Sequence, residues 1–244
     1  MQRPRIYTPE VLRTGAIRQL PASAASHVTR VLRLAAGDAI TLFDGTGLDY
    51  DAVLQVVARG GVTVEVGAGR PVGRESPLVI TLLQGVSRGP RMDTVVQKAT
   101  ELGVAAIQPV LAERSVVRLD AERGQARIEH WQRIIISACE QCGRAVLPAM
   151  LPARPLDTAL GALDPGTVGL TLDPRAVGTL GDLLGTATRV ALAIGPEGGF
   201  TEGEVRRLTE AGFRGLRLGP RILRTETAPL AALAILQYAR GDLG

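Results

Sequence analysis

Arg189-Val-Ala-Leu-Ala-Ile-Gly-Pro-Glu-Gly-Gly-Phe200 reads as a strand running into a glycine loop. Val190 to Ile194 is a short apolar run between an arginine and a glycine, which suits a buried strand. Gly195 and Pro196 end it. Gly198 and Gly199 remove side chains where a ligand or another backbone could come close, and Thr201 with Glu204 has the capping-box spacing that opens a helix. In open α/β sheets such a loop lies at the carboxyl end of a strand, where cofactors bind.

Outward from this unit the alternation repeats. Leu78 to Leu83, Val104 to Val110, Val168 to Leu172 and a run at Leu216 read as strands. Between them, Met92, Val95, Val96, Ala99 and Leu102 form one helical face that ends at Gly103, and Ile128, Trp131, Ile134, Ile135 and Ala138 form another. The pattern predicts an α/β domain with a mainly parallel sheet covered by helices on both faces, and Trp131 in its packing. Upstream, from Arg5 to Val72, short β-branched runs are broken by Asp44-Gly-Thr-Gly47 and Gly60-Gly61, which are hairpin signals of a small β-barrel or sandwich. One helix interrupts it at Ala22 to Leu34, where Val28, Val31 and Leu32 share a face and Arg30 and Arg33 share another. His27 before them reads as a hydrogen-bonded surface residue. Gly67 to Pro77 reads as a linker, so two domains are expected, 1–72 and 73–244.

The chain has 244 residues, is 45% hydrophobic and carries a net charge of +4. Between Met1 and Ala36, six arginines (Arg3, Arg5, Arg13, Arg18, Arg30, Arg33) face the single acid Glu10. Such a lobe is the electrostatic footprint of a polyanion partner. No apolar run reaches membrane-spanning length, and Met1-Gln-Arg-Pro-Arg5 lacks the apolar core of a secretion signal, so the expected location is cytoplasmic. Cys139 and Cys142 have no second ligand pair, which leaves no zinc site and makes them an inert pair on a helix face.

The glycine loop lacks the Gly-Lys-Ser/Thr of a P-loop and does not match Gly-x-Gly-x-x-Gly, so ATP hydrolysis and nicotinamide binding lose their support. The second half of the C-terminal segment, Leu216-Arg-Leu-Gly-Pro-Arg-Ile-Leu-Arg-Thr-Glu-Thr-Ala-Pro229, places Leu218-Gly219 at a strand end and Ile222 and Leu223 in a loop. Apolar loop residues imply something that covers them. Thr227 or Ala228 caps a helix with Pro229 just inside it, and that helix is apolar nearly all round, which suits burial on several sides and a subunit interface.

Gly195-Pro-Glu-Gly-Gly-Phe200 followed by Leu218-Gly-Pro-Arg-Ile-Leu-Arg-Thr-Glu-Thr-Ala228 resembles the signature of the RsmE-type ribosomal RNA uridine-N3 methyltransferases, of the SPOUT class of trefoil-knotted enzymes. Arg91 to Gly103, Glu113-Arg-Ser115, Trp131-Gln-Arg133, Glu140-Gln141 with Gly143-Arg144, and His27 to Arg33 agree with it, while Pro90 departs where an acidic residue is expected. The resemblance implies an N-terminal PUA-like RNA-binding barrel, a C-terminal knotted methyltransferase domain, S-adenosylmethionine as methyl donor with no metal, and a homodimer through the C-terminal domain. It implies that the cofactor lies among Leu172, Gly195, Pro196, Glu197, Gly198, Leu218, Gly219, Ile222, Leu223 and Thr227. Arg224 is then the expected stabiliser of negative charge on the base, with Glu226 orienting it or taking the proton; the alternative is an Arg224–Glu226 ion pair that holds the loop. Arg3, Arg5, Arg30, Arg33 and Arg91 are assigned to ribosomal RNA, as part of an assembled small subunit. The competing readings are a knotted methyltransferase for another base or a ribose, and a non-catalytic RNA-binding protein.

Overall fold

A computed structural model of the chain describes all residues except 1–2, 59, 116–120 and 178–179, with side chains also left out at 121–123. It divides into two compact units, residues 1–75 with 139–147, and residues 76–138 with 148–244.

The first unit contains β1 (Arg5–Tyr7), β2 (Ile17–Gln19), β3 (Ala39–Phe43), β4 (Leu48–Ala58) and β5 (Gly61–Pro71), in one sheet ordered β1-β3-β4-β5-β2. All its pairings are antiparallel except β1 with β3. Alternate residues, Tyr50, Ala52 and Leu54 on β4 and Val62, Val64 and Val66 on β5, point into one core with Ile6, Ile40 and Leu42. The strand β5 continues to Pro71, through the glycines that read as the start of a linker. A Cβ on Gly67 would stand 3.0 Å from the Asp51 carbonyl oxygen, and one on Gly69 would stand 2.7 Å from the Tyr50 ring. These glycines are strand residues that let β4 side chains lie across the ladder.

The expected helix from Ala22 is also different. Only α1 (Ala22–Ser26) is α-helical, and His27–Val31 continues as a π-helical turn in which Leu32 N–H donates to the His27 carbonyl. The wider turn breaks the 3.6-residue period, so Val28 is buried while Val31 turns outward. Arg33 then closes the turn at φ 54°, the left-handed region, the only non-glycine residue to do so among those described. Arg33→Gly is expected to stabilise the protein by about 0.5–1 kcal/mol in chemical denaturation, because glycine adopts this conformation without a Cβ clash.

In the second unit every pairing is parallel. The strands β6 (Val79–Gly85), β7 (Ala106–Leu111), β8 (Ala149–Met150), β9 (Arg154–Pro155), β10 (Val168–Leu172), β11 (Arg189–Ile194) and β12 (Arg214–Leu216) are ordered β12-β10-β11-β6-β7-β8, with β9 also on β7. The edge strand β12 stops at Leu216, so Leu218-Gly219 follows it rather than ending it. The helices are α2 (Pro90–Glu101), α3 (Ala121–Cys142), α4 (Leu156–Gly161), α5 (Leu180–Leu184), α6 (Glu202–Glu210) and α7 (Ala228–Arg240). Of the expected α2 face, Met92, Val95, Val96 and Ala99 are buried, whereas Leu102 is the half-buried C-cap residue, and Gly103 follows at φ 77°. Trp131 is fully buried, with its indole N–H donating to Asp93 at 3.2 Å. Helix α7 packs on α2 and β11, whereas α4 and α6 meet each other around Leu83, Ala191 and Ala193. Burial pushes the Cys139 thiol up to about 12, and both cysteines are free, so they are packing residues.

After β12 the chain does not stay at the sheet edge. It returns past the exits of β11 and β6, where Thr225 is buried, before α7 packs on β11. Those exits lie backbone against backbone: a Cβ on Gly85 would stand 2.4 Å from Pro196 N. The family resemblance implies a trefoil knot in this region, which chain-order rules for ordinary sheets argue against.

Candidate active site at the carboxyl edge of the parallel sheet

Because the strands are parallel, β6, β10, β11 and β12 all leave the sheet on one edge, and their exit loops gather there. The loop after β11 is a tight turn closed by Gly199 N–H to the Pro196 carbonyl at 2.8 Å, with Gly199 at φ 68°. Gly195 has no room for a side chain, since a Cβ would meet Phe200 N at 2.8 Å. Gly198 lies under Arg114, whose Nη1 donates to its carbonyl at 3.0 Å. Both glycines therefore serve the turn itself. Gly199 and Gly219 differ: at φ 68° and 75° neither has anything within 4 Å of the place of a Cβ, so their surfaces are open.

The capping box at α6 is present, with Glu204 N–H donating to Thr201 Oγ1 at 3.2 Å and Thr201 N–H to Glu204 at 2.8 Å. Glu204 also accepts the Glu113 N–H at 2.9 Å, and Arg207 and Thr201 donate to the Glu113 carboxylate. The hydrogen bond from Arg207, then that from Thr201, holds Glu113 below the usual carboxylate range. The Glu113-Arg114 segment is thus tied to the glycine loop at Gly198 and to the helix start that follows it.

On the opposite side of that loop stands an arginine bridge. Glu197 accepts the Arg88 N–H and the Arg91 Nη1, each at 3.0 Å, and Arg91 Nε lies 3.7 Å from Glu226. Burial works against the Glu197 charge, yet the Arg88 N–H and the Arg91 guanidinium outweigh it and hold the carboxyl below its ordinary value. A depressed carboxylate adds stability above its unfolded value and loses it as pH falls through its folded value. The bridge therefore persists at neutral and alkaline pH and opens only in acid. Arg91, one of the expected RNA contacts, is 46% exposed, and its side chain joins the glycine loop to the Glu226 loop.

Loop 217–227 carries the remaining expected residues. Leu218 and Leu223 are half-buried, Ile222 is 89% exposed, and Thr227 is exposed at the start of α7. Leu172, where β10 ends, is half-buried. Arg224 is exposed, and among the described residues it has no ion pair: Glu226 faces Arg91 rather than Arg224, so neither the expected orientation of Arg224 by Glu226 nor an ion pair between them is found. Between them lies Thr225, 8% exposed, a residue that sequence reasoning passed over. Its Oγ1 lies 2.8 Å from the Gly195 carbonyl, 3.2 Å from Gln84 Nε2 and 3.3 Å from Ser87 Oγ. Gln84 is fully buried, and its Oε1 meets no donor among the described residues, a loss of about 1–3 kcal/mol. A buried-strand run, Val79-Ile-Thr-Leu-Leu83, that ends in a glutamine is the signal available in the sequence.

In the first unit the expected RNA contacts separate. Arg30 and Arg33 are exposed and have no ion pair among the described residues. Arg3 is paired with Asp51 at 2.8 Å, and Asp51 also takes Arg70. Arg5 is not available to RNA at all: its side chain is 5% exposed, stacked on Phe43 and hydrogen-bonded to Asp49 and to the carbonyls of Cys139 and Arg144. No group of three His, Cys, Asp or Glu among the described residues could hold a metal, and no described helix is long and apolar enough to cross a membrane.

The RNA methyltransferase domain family matches residues 74–237, and the RNA methyltransferase PUA domain family matches residues 20–67. The ribosomal RNA small subunit methyltransferase E of Neisseria gonorrhoeae, solved bound to S-adenosyl methionine, is 44% identical over the full length of both chains, with a TM-score of 0.95. A methyltransferase of Legionella pneumophila, solved with its bound cofactor SAM, is 42% identical over the same extent, with a TM-score of 0.94. The ribosomal RNA small subunit methyltransferase E of Bacillus subtilis is 34% identical over 228 residues, 88% of this chain and 89% of that one. With both domain families matched in order and relatives alike along nearly the whole chain, the chain belongs to the ribosomal RNA small subunit methyltransferase E family.

Proposed function

We propose that this chain, an S-adenosylmethionine-dependent RNA methyltransferase, methylates N3 of a uridine in small-subunit ribosomal RNA. In this reading residues 1–72 grip the RNA, residues 73–244 carry out the transfer, and a cytoplasmic homodimer acts on an assembled subunit. The observation that carries it is the presence, on one loop, of an unneutralised guanidinium, Arg224, and the half-buried Glu226, beside the open Gly219 and the aliphatic Ile222 and Leu223. These residues fit an adenosyl ligand, because glycine admits a flat ring and aliphatic side chains cover it. Leu172, Gly195, Pro196, Glu197, Gly198, Leu218, Gly219, Ile222, Leu223 and Thr227 are the residues we assign to it.

When bound, S-adenosylmethionine supplies a methyl group on a sulfonium and leaves as S-adenosylhomocysteine. The chain must deal with the rest. Uridine N3 carries a proton and is a poor nucleophile until that proton leaves, whereupon negative charge spreads to the neighbouring carbonyl oxygens. Glu226 accepts the proton, and Arg224 faces the oxygen that gains charge. Arg91, anchored by Glu197, keeps Glu226 at its post. The test is mass spectrometry of ribosomal RNA nucleosides from cells with and without this protein. A uridine methylated at N3 only when the protein is present supports the reading; a different base or a 2′-methylated ribose in its place overturns it.

For the first unit, reversing Arg30 and Arg33 to glutamate is expected to weaken RNA binding and to flatten its salt dependence, by about 0.7–0.9 in the log–log slope per lost phosphate contact. Cofactor binding by calorimetry should not change. For the homodimer we assign the α7 face on which Ile235 is 42% and Tyr238 71% exposed. Ile235→Glu should sediment as a monomer where the parent sediments as a dimer, and an unchanged dimer counts against this face.

A further inference from the structure

We infer that Gln84 and Thr225 are positioning residues, a buried polar joint that sets Arg224 and Glu226 against the glycine loop; this deepens the methyltransferase reading and rests on it. The Gly195 carbonyl can only accept, so Thr225 donates its single hydroxyl proton there, at 2.8 Å. Gln84 Nε2 then meets Thr225 through a lone pair and is the donor, while the single Ser87 hydroxyl proton is shared between Thr225 Oγ1 and the Gly85 carbonyl, each 3.3 Å away. The Gln84 amide spends its other hydrogen on the Gly85 carbonyl at 3.1 Å. A flipped amide would set its own carbonyl against that of Gly85, so the orientation is fixed and Oε1 is directed away without a donor among the described residues.

One hydroxyl thereby joins three exits: β6 through Gln84 and Ser87, β11 through Gly195, and loop 217–227 through Thr225 itself. The residues on either side of Thr225 are Arg224, exposed, and Glu226, half-buried. An apolar side chain at position 84 would fill the same space without an unsatisfied oxygen, so the glutamine is poorly explained as a stabiliser. It is well explained as the donor that fixes where Thr225, and with it the two charged neighbours, must stand. Displacements of about 1 Å at such a site lower turnover by about 100-fold.

Three variants of the full chain test this: Gln84→Met, Thr225→Val and Thr225→Ser. Gln84→Met should melt at or above the parent temperature, still take up S-adenosylmethionine in calorimetry, keep its KM for RNA, and lose about 10-fold in kcat. Thr225→Val should lose about 100-fold in kcat, and Thr225→Ser, which restores the hydroxyl, should stay within about threefold of the parent. Hydrogen exchange of residues 217–228 reads the joint without turnover: it should quicken in Gln84→Met and Thr225→Val but not in Thr225→Ser. The inference is overturned if Gln84→Met keeps parental kcat, if its kcat and melting temperature fall together, or if exchange in Thr225→Val is unchanged. A parent chain that takes up no S-adenosylmethionine in calorimetry overturns the methyltransferase reading instead, and the exchange measurement still decides the joint.

Discussion

Arg224→Ala is expected to lower kcat by about 100- to 1000-fold, the usual effect of deleting one donor to a developing oxyanion, while melting temperature and S-adenosylmethionine affinity stay near the parent's. The expectation follows from what Arg224 does not touch. Its side chain is exposed, and no carboxylate among the described residues pairs with it. Its structural contribution is made by the backbone, where its carbonyl accepts the Thr227 and Ala228 N–H groups, each at 2.9 Å, at the start of α7. Alanine keeps that carbonyl. Truncating an exposed, unpaired side chain changes stability by no more than about 0.5 kcal/mol. Arg224→Lys should recover only part of the loss, since an ammonium keeps the charge but lacks the planar fork. If instead stability, binding and turnover fall together in Arg224→Ala, the residue holds the loop and the proposed electrostatic role is wrong.

Elements whose signals are local were legible in the sequence. The β11 strand, its Gly195–Gly199 turn and the Thr201–Glu204 capping box lie within sixteen residues of chain and formed as read. The buried face of α2 followed its helical period for the same reason. What failed depends on partners far away in sequence. Thr225 stands between two charges with no local signal of its own, because its role depends on Gln84, 141 positions earlier. The ion pair of Arg91 with Glu197, 106 positions later, has no local signal either. Gly67 and Gly69 looked like a linker because their composition is that of one, and only the Tyr50 ring and the Asp51 backbone explain them as strand residues. The π-helical turn at His27–Val31 is a departure of a single residue per turn, below what a hydrophobic period can detect, yet enough to expose Val31. Family resemblance supplied the knot, which no pattern of apolar residues encodes.

Arg5→Ala should show the opposite profile to Arg224→Ala, destabilising the first unit by about 3–5 kcal/mol without acting first on RNA contact. Counted by charge alone, Arg5 belongs with Arg30 and Arg33. Its surroundings say otherwise: the guanidinium lies 4.5 Å over the Phe43 ring, meets Asp49 through two hydrogen bonds of 2.6 and 3.2 Å, and donates to the carbonyls of Cys139 at 2.6 Å and Arg144 at 3.1 Å. Alanine would leave Asp49, 17% exposed, without its cation and two carbonyls without their donor. Uncompensated buried charge of this kind outweighs what the pair itself contributed, which is why breaking such a pair costs more than replacing both partners. Two controls separate this from a surface effect. Arg5→Ala with Asp49→Ala should recover part of the stability, because the stranded carboxylate is gone, whereas Arg30→Glu should leave denaturation almost unchanged and weaken RNA binding. An Arg5→Ala chain as stable as the parent but poor in RNA binding would return Arg5 to the surface set and overturn the buried assignment.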